Sequence, residues 1–144
     1  MQEVLSTKRL QLQIVRAGAE TEIDAAFASI GQLKDAALVV QADPFYVARR
    51  EQLTALATRQ ALPAIYEGRQ CAVAGGLVCY GANVTSVYRQ VGVYAGRILK
   101  GEKPADLPVQ QPTKFELVVN VKAARAIGLS IPEAFLARAD EIIE

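Results

Sequence analysis

Read along the chain, apolar positions fall into short runs separated by polar turns, and most runs alternate with segments of helical period. Gln2 to Lys8 has the pattern of the tail of a helix, and Leu10 to Val15 (LQLQIV) alternates as a strand does. Thr21 followed by Asp24 resembles a capping box, opening a helix that places Ile23, Phe27 and Ile30 on one face before Gly31 stops it. Ala36 to Val40 (AALVV) is a continuous apolar run, the pattern of a strand covered on both faces. A helix is then expected from Pro44 to about Gln60, burying Val47, Leu53, Leu56 and Ala57 and showing Arg49, Arg50, Glu51 and Arg59 to water. PAIY (Pro63 to Tyr66) reads as the next strand and GGLVCYG (Gly75 to Gly81) as another. Asn83 caps the best helix, in which Val84, Val87, Tyr88, Val91, Tyr94, Ala95, Ile98 and Leu99 recur at helical spacing; the stripe assigns Tyr88 and Tyr94 to core packing. Gly101 ends it, and the stretch EKPADLP is a connection. KFELVVN (Lys114 to Asn120) alternates as a strand, Asn120 caps a short helix through Ile127 with Gly128 as its stop, and Pro132 to Arg138 forms a last helix before the acidic end ADEIIE.

This alternation of strand and helix defines an α/β fold, a mostly parallel sheet flanked by helices. Open sheets of this kind bind ligands just beyond the carboxyl ends of their strands. Two such ends are polar turns here: Asp43 after the AALVV run, and Glu67 with Gly68 after PAIY. Asp43 is the natural cap of the helix that Pro44 opens, and the same position makes it one wall of a cleft. Both readings stand on the sequence. Phe45, Tyr46, Tyr66 and Tyr80 gather near the same ends, where aromatic faces beside carboxylates suit a small amphipathic ligand and equally suit rim packing.

Composition narrows the function classes. The 144 residues suit one domain, and 51% hydrophobic with 22% charged residues is ordinary for a globular fold. Sixteen basic against fifteen acidic residues leave a net charge of +1, which gives no electrostatic footprint for nucleic acid or for an anionic membrane. No apolar run approaches the roughly 20 residues of a membrane span. The amino end has no basic region followed by an apolar one, so read as a true start it carries no signal peptide and the chain stays where it is made. Histidine is absent, which removes the commonest general base and metal ligand. GGLVCYG lacks the spacing of a dinucleotide fingerprint, no phosphate-binding loop is present, and Ser86 and Ser130 have no histidine to activate them. No motif demands an enzyme, a metal or a cofactor. Cys71 and Cys79 read as two free thiols, since Cys79 lies in an apolar strand; a disulfide would require an oxidising compartment.

Four segments carry a family resemblance: AALVVQADPFYVARR, LPAIYEGRQCAVAGGLVCYG, VYRQVGVYAGRILKGEKPADLPVQQPTKFELVVN and KAARAIGLSIPEAFLARADEIIE. They resemble the substrate-binding components of ABC transporters, specifically the tryptophan- or tyrosine-binding-like family with the type I periplasmic binding fold, and only the carboxyl-terminal half of it. The resemblance implies a non-catalytic protein that holds one small organic solute, such as an amino acid, between two lobes and delivers it to an ABC permease, in the periplasm or at the cell surface. It assigns residues 1–70 and 105–144 to the second lobe and 71–104 to a portion crossing to the first. Carried over by position, the ligand wall is Asp43, Phe45, Tyr66, Glu67, Tyr80 and Asn83, with Cys79 where serine is more usual. Full members are about twice as long, and in the doubly wound order the absent first strand would lie between Leu10–Val15 and Ala36–Val40. The chain is therefore expected to pair those strands directly or to form a homodimer that covers the sheet edge and the long helix. An alternative of another class is a self-associating interaction domain that kept the lobe fold without a working cleft.

Overall fold

The computed structural model describes residues 10–144, which divide after Lys34 into two compact units. The helix expected between Gln2 and Lys8 lies outside the described residues. In the first unit, α1 runs Glu20–Ile30 and buries Ile23, Phe27 and Ile30, the face the spacing assigns to it. Its amino end is held differently from the expected capping box. The Glu22 carboxylate reaches back to accept from the backbone N–H groups of Gly18 (2.7 Å) and Ala19 (3.2 Å), so neither Thr21 nor Asp24 opens the helix. The alternating segment Leu10–Val15 is not a strand, and Leu10, Leu12 and Ile14 are all exposed. Alternation describes a strand only where a neighbour supplies the ladder, and no such pairing forms here.

The second unit is a five-stranded sheet in the order β1 (Leu38–Val39), β2 (Ala64–Tyr66), β3 (Val78–Ala82), β4 (Phe115–Asn120), β5 (Glu141–Ile143). Pairing is parallel throughout except between β3 and β4. The strand AALVV is shorter than its apolar run and is not covered on both faces, because it forms the sheet's edge and leaves Val39 76% exposed. The acidic end, to which the sequence pattern assigns no element, contains β5; its Ile142 and Ile143 align with Val119 and Asn120.

The expected helix over 44–60 breaks in two. Pro44 opens α2 (Pro44–Ala48), Arg49 leaves helical geometry at φ −108°, ψ 21°, and α3 (Arg50–Arg59) follows. The break leaves Val47 exposed, while Leu53, Leu56 and Ala57 are buried as expected together with Thr54, whose hydroxyl donates to the Ala74 carbonyl at 2.8 Å. A short helix that the glycine-rich pattern concealed, α4 (Arg69–Val73), lies between β2 and β3 and packs on β3 and β4. Beneath it Asn120, 5% exposed, serves two elements: its side-chain oxygen accepts from Ala123 N–H at 2.8 Å, capping α6 (Val121–Ala126), and its amide donates to the Ala72 carbonyl at 3.1 Å. Val118 and Val119 are both buried, so the second half of β4 is covered on both faces and KFELVVN does not alternate in burial. The last helix, α7, is only Glu133–Leu136.

The long helix α5 (Val84–Leu99) starts where Asn83 accepts from the Ser86 N–H at 2.6 Å, and Gly101, at φ +98°, follows its end. No residue of α5 is buried. Tyr88 is 71% exposed and Tyr94 is partly exposed with its hydroxyl donating to the Pro108 carbonyl, which corrects the assignment of both rings to a core. The apolar stripe is real, but among the described residues it is not covered.

Candidate functional site

The parallel strands β1, β2 and β3 end at one side of the sheet, and because β4 runs antiparallel to β3 its first residues arrive at that same side. The register aligns Gly81 with Glu116 and Ala82 with Phe115. Asp43, Glu67 and Asn83 sit on turns at this rim, Phe45 in the first turn of α2, Tyr80 in the middle of β3 and Tyr66 at the end of β2.

At the end of β1, Asp43 caps α2, its carboxylate accepting from the Phe45 N–H at 2.7 Å. Phe45 is half-buried; its ring meets Tyr46 edge-on with centroids 5.4 Å apart, and the Arg49 guanidinium lies over it at 4.1 Å. At the end of β2, Tyr66 turns inward and is 3% exposed. It lines a small cavity of about 10 Å³ with Thr54, Leu77 and Ala123, and its burial, reinforced by Cys71 and Cys79, pushes the phenol well above its usual range. The chain then emerges with Glu67 exposed and turns at Gly68, φ +81°.

Gly81 lets this turn lie against β3: a Cβ there would come within 2.8 Å of Glu67 Cγ and 3.1 Å of the Gly68 nitrogen. Tyr80, 53% exposed, stacks on Phe115 with centroids 5.9 Å apart and planes at 20°. Asn83 bridges three segments. Its side-chain oxygen caps α5, its amide donates to Glu116 Oε1, and its backbone N–H donates to the Lys114 carbonyl at 2.9 Å.

Beside Asn83 opens a cleft of about 270 Å³, lined by Arg69, Gln70, Gly81, Ala82, Asn83, Val84, Thr85, Glu116 and Glu141. Arg69 meets Glu141 as a planar fork, Nε and Nη2 donating to the two carboxylate oxygens at 2.6 Å each. The hydrogen bonds and attraction of Arg69 hold the Glu141 carboxyl below its usual range, so the pair is ionised. Lys114 approaches Glu116 Oε1 at 3.8 Å. Thus the wall contains a cation, two carboxylates and neutral amide and hydroxyl groups, a set that fits a ligand carrying both charges.

Of the residues predicted from the sequence, Asn83 lines this cleft. Asp43, Phe45, Glu67 and Tyr80 lie along the same rim outside it, and Tyr66 lies in the core. Arg69, Glu116 and Glu141 were missed. Glu116 follows from β4 pairing antiparallel with β3, and Glu141 from the acidic tail forming β5; neither pairing has a local signal in the sequence. Phe115, which completes the stack on Tyr80, was missed for the same reason. Among the described residues no group of three potential ligands could hold a metal, no helix is long and apolar enough to cross a membrane, and both cysteines are buried free thiols.

Three solved structures share this fold. A conserved domain protein from Vibrio cholerae O1 biovar El Tor matches with a TM-score of 0.85 at 24% identity, over 98% of this chain and 47% of that one. An ABC domain from Streptococcus pneumoniae in complex with L-Trp matches with a TM-score of 0.84 at 23% identity, over 96% of this chain and 48% of its own. A ligand-free, open substrate-binding protein with adhesive properties from Clostridium difficile matches with a TM-score of 0.65 at 22% identity, over 99% and 47%. The chain therefore spans about half the length of the solved structures it matches. Comparison with curated proteins gave no match. The family model for ABC transporter substrate binding protein matches residues 1–143, and the chain belongs to that family.

Proposed function

We propose that the chain is the ligand-holding part of an ABC importer's substrate-binding component, taking a small organic solute of the amino-acid class at the rim of β1–β4 and performing no catalysis. The observation that carries this reading is the convergence of aromatic and polar groups at one end of the strands (Phe45, Tyr80 and Phe115 with Asp43, Glu67 and Asn83) in a chain whose family match extends over residues 1–143. Ligands of open α/β sheets bind beyond such strand ends. The L-Trp complex of a similar fold supports the amino-acid class.

In the same proposal, residues 1–70 and 105–144 belong to one lobe and 71–104 reach toward another. Support comes from α5, which leaves the sheet after β3, buries none of its residues and returns through β4. The partners are then an ABC permease and a second lobe, and the setting is outside the cytoplasmic membrane.

Calorimetric titration of the chain with the proteinogenic amino acids tests the reading. One lobe supplies one wall, so saturable binding in the millimolar range is expected. Tyr80→Ala should weaken it, because stacking area is lost. A micromolar ligand would contradict the need for a second wall, and no detectable binding of any amino acid would overturn the ligand class.

A further inference from the structure

The cleft beside Asn83 holds the most specific chemistry at the rim, and its charged groups keep donors and acceptors beyond those their structural partners use. Arg69 and Glu141 stay partly open to solvent at 51% and 37%, so the pair can be reached by a ligand. A guanidinium has five N–H donors in a rigid fork. The contact with Glu141 engages one on Nε and one on Nη2, and the remaining donors suit a second carboxylate. Glu116 is the most buried charge in the cleft, its side chain 24% exposed, and both of its contacts fall on Oε1: Asn83 Nδ2 and the more distant Lys114. The other oxygen is an acceptor for a cationic donor. At about 270 Å³ the space lies just below the roughly 300–1,000 Å³ of typical ligand pockets, which fits a small group and not a large solute.

Resting on the proposed amino-acid class, we infer that this cleft is the head-group subsite: Arg69 receives the ligand's carboxylate and Glu116 its ammonium, while Glu141 and Asn83 hold those two side chains in place. Tyr80 and Phe115 alternate with Gly81 and Glu116 along β3 and β4 and so lie on the other face of the sheet; a ligand whose head group sits in the cleft meets that pair only by extending across the rim at the strand ends. Glu141 acts through Arg69. It fixes the guanidinium plane and, being ionised itself, disfavours a second anion unless the ligand also brings a positive charge to Glu116. The subsite accordingly selects zwitterions over simple carboxylates.

Heteronuclear NMR on the full 144-residue chain tests this with three matched probes: L-tryptophan, L-tryptophanamide, which lacks the carboxylate, and indole-3-propionate, which lacks the amine. L-tryptophan should shift the Arg69 Nε and Asn83 Nδ2 resonances saturably, and each of the other two should bind about tenfold more weakly, the loss expected for one charge-assisted contact. Arg69→Gln, at an exposed position, should abolish discrimination against the amide and keep that against indole-3-propionate. Glu116→Gln should do the reverse. Shifts confined to Asp43, Phe45 and Tyr80, or discrimination that both variants retain, would overturn the subsite and leave the amino-acid reading standing. No saturable shift anywhere with tens of millimolar L-tryptophan or L-leucine would overturn both.

Discussion

Asp43 shows how one side chain can serve a helix and a site at once. Its carboxylate caps α2, so Asp43→Ala should lower stability by about 1 kcal/mol in chemical denaturation, while Asp43→Asn keeps the cap and removes only the charge. Solute affinity unchanged by Asp43→Asn would return the residue to a purely structural role. Asn120 offers a sharper test, since it is buried and satisfies both the Ala72 carbonyl and the Ala123 N–H. Asn120→Ala leaves both groups without a partner and should cost about 2–3 kcal/mol. The buried thiols give a pH dependence. Burial pushes the Cys79 thiol from 9.0 up to about 12, so above pH 9 the unfolded chain loses its proton first and binds fewer protons than the native state. Stability must then fall as pH rises through roughly 9 to 12, and Tyr66, whose pKa is raised for the same reason, adds to the fall. Cys79→Ala should flatten that slope in urea midpoints measured across the range, though Tyr66 will keep part of it. These residue roles were legible unevenly. The caps at Asp43, Asn83 and Asn120 follow from local chemistry and could be read directly, whereas the Asn120–Ala72 and Asn83–Glu116 bonds link residues far apart in sequence, which no periodicity encodes.

At the scale of elements, helical period proved the firmest signal where a helix packs alone or stands free, as in α1 and α5. It misled where the backbone departs from it: the apolar pattern of 44–60 is continuous, yet the helix breaks at Arg49 and exposes Val47. Strand patterns held for β2, β3 and β4 and failed elsewhere for a different reason. A strand is a relation between two segments, so LQLQIV alternates without becoming one, while Glu141–Ile143 pairs with β4 despite its charged surroundings. The α5 stripe carries a further expectation. Gly92 and Gly96 lie in its interior with open space where a Cβ would stand. Replacing either by alanine should stabilise the isolated chain by about 0.5–1 kcal/mol, from helix propensity alone. The same change should weaken association if another surface packs closely on that side. Gly76 is the opposite case. A Cβ there would sit 2.8 Å from the Cys71 carbonyl oxygen and 3.0 Å from the Tyr66 ring, so Gly76→Ala should cost about 1–3 kcal/mol in thermal or denaturant melts.

Across the whole molecule, the class of fold was legible because apolar runs and helical periods alternate, and the family because its segments keep their order along nearly the entire chain. The ligand rim was legible only as strand ends. Which side chains share a cleft depends on β4 entering antiparallel and on β5 closing the far edge, and both are set by tertiary packing. A half-length relation to the solved structures and an uncovered apolar helix face belong together in this account. The bare stripe of Val84, Tyr88, Val91 and Leu99 should make the isolated chain associate with itself at high concentration. A strictly monomeric chain by light scattering would show that the stripe alone does not drive assembly. The central claim, that the rim of β1–β4 holds an amino-acid-class solute, is tested most directly by the crystal structure of this chain grown with saturating L-tryptophan. The account predicts density for the ligand's head group against Arg69, Asn83 and Glu116, with its side chain at the rim of β1–β4. A ligand bound away from that rim, or an empty rim at saturation, would contradict it.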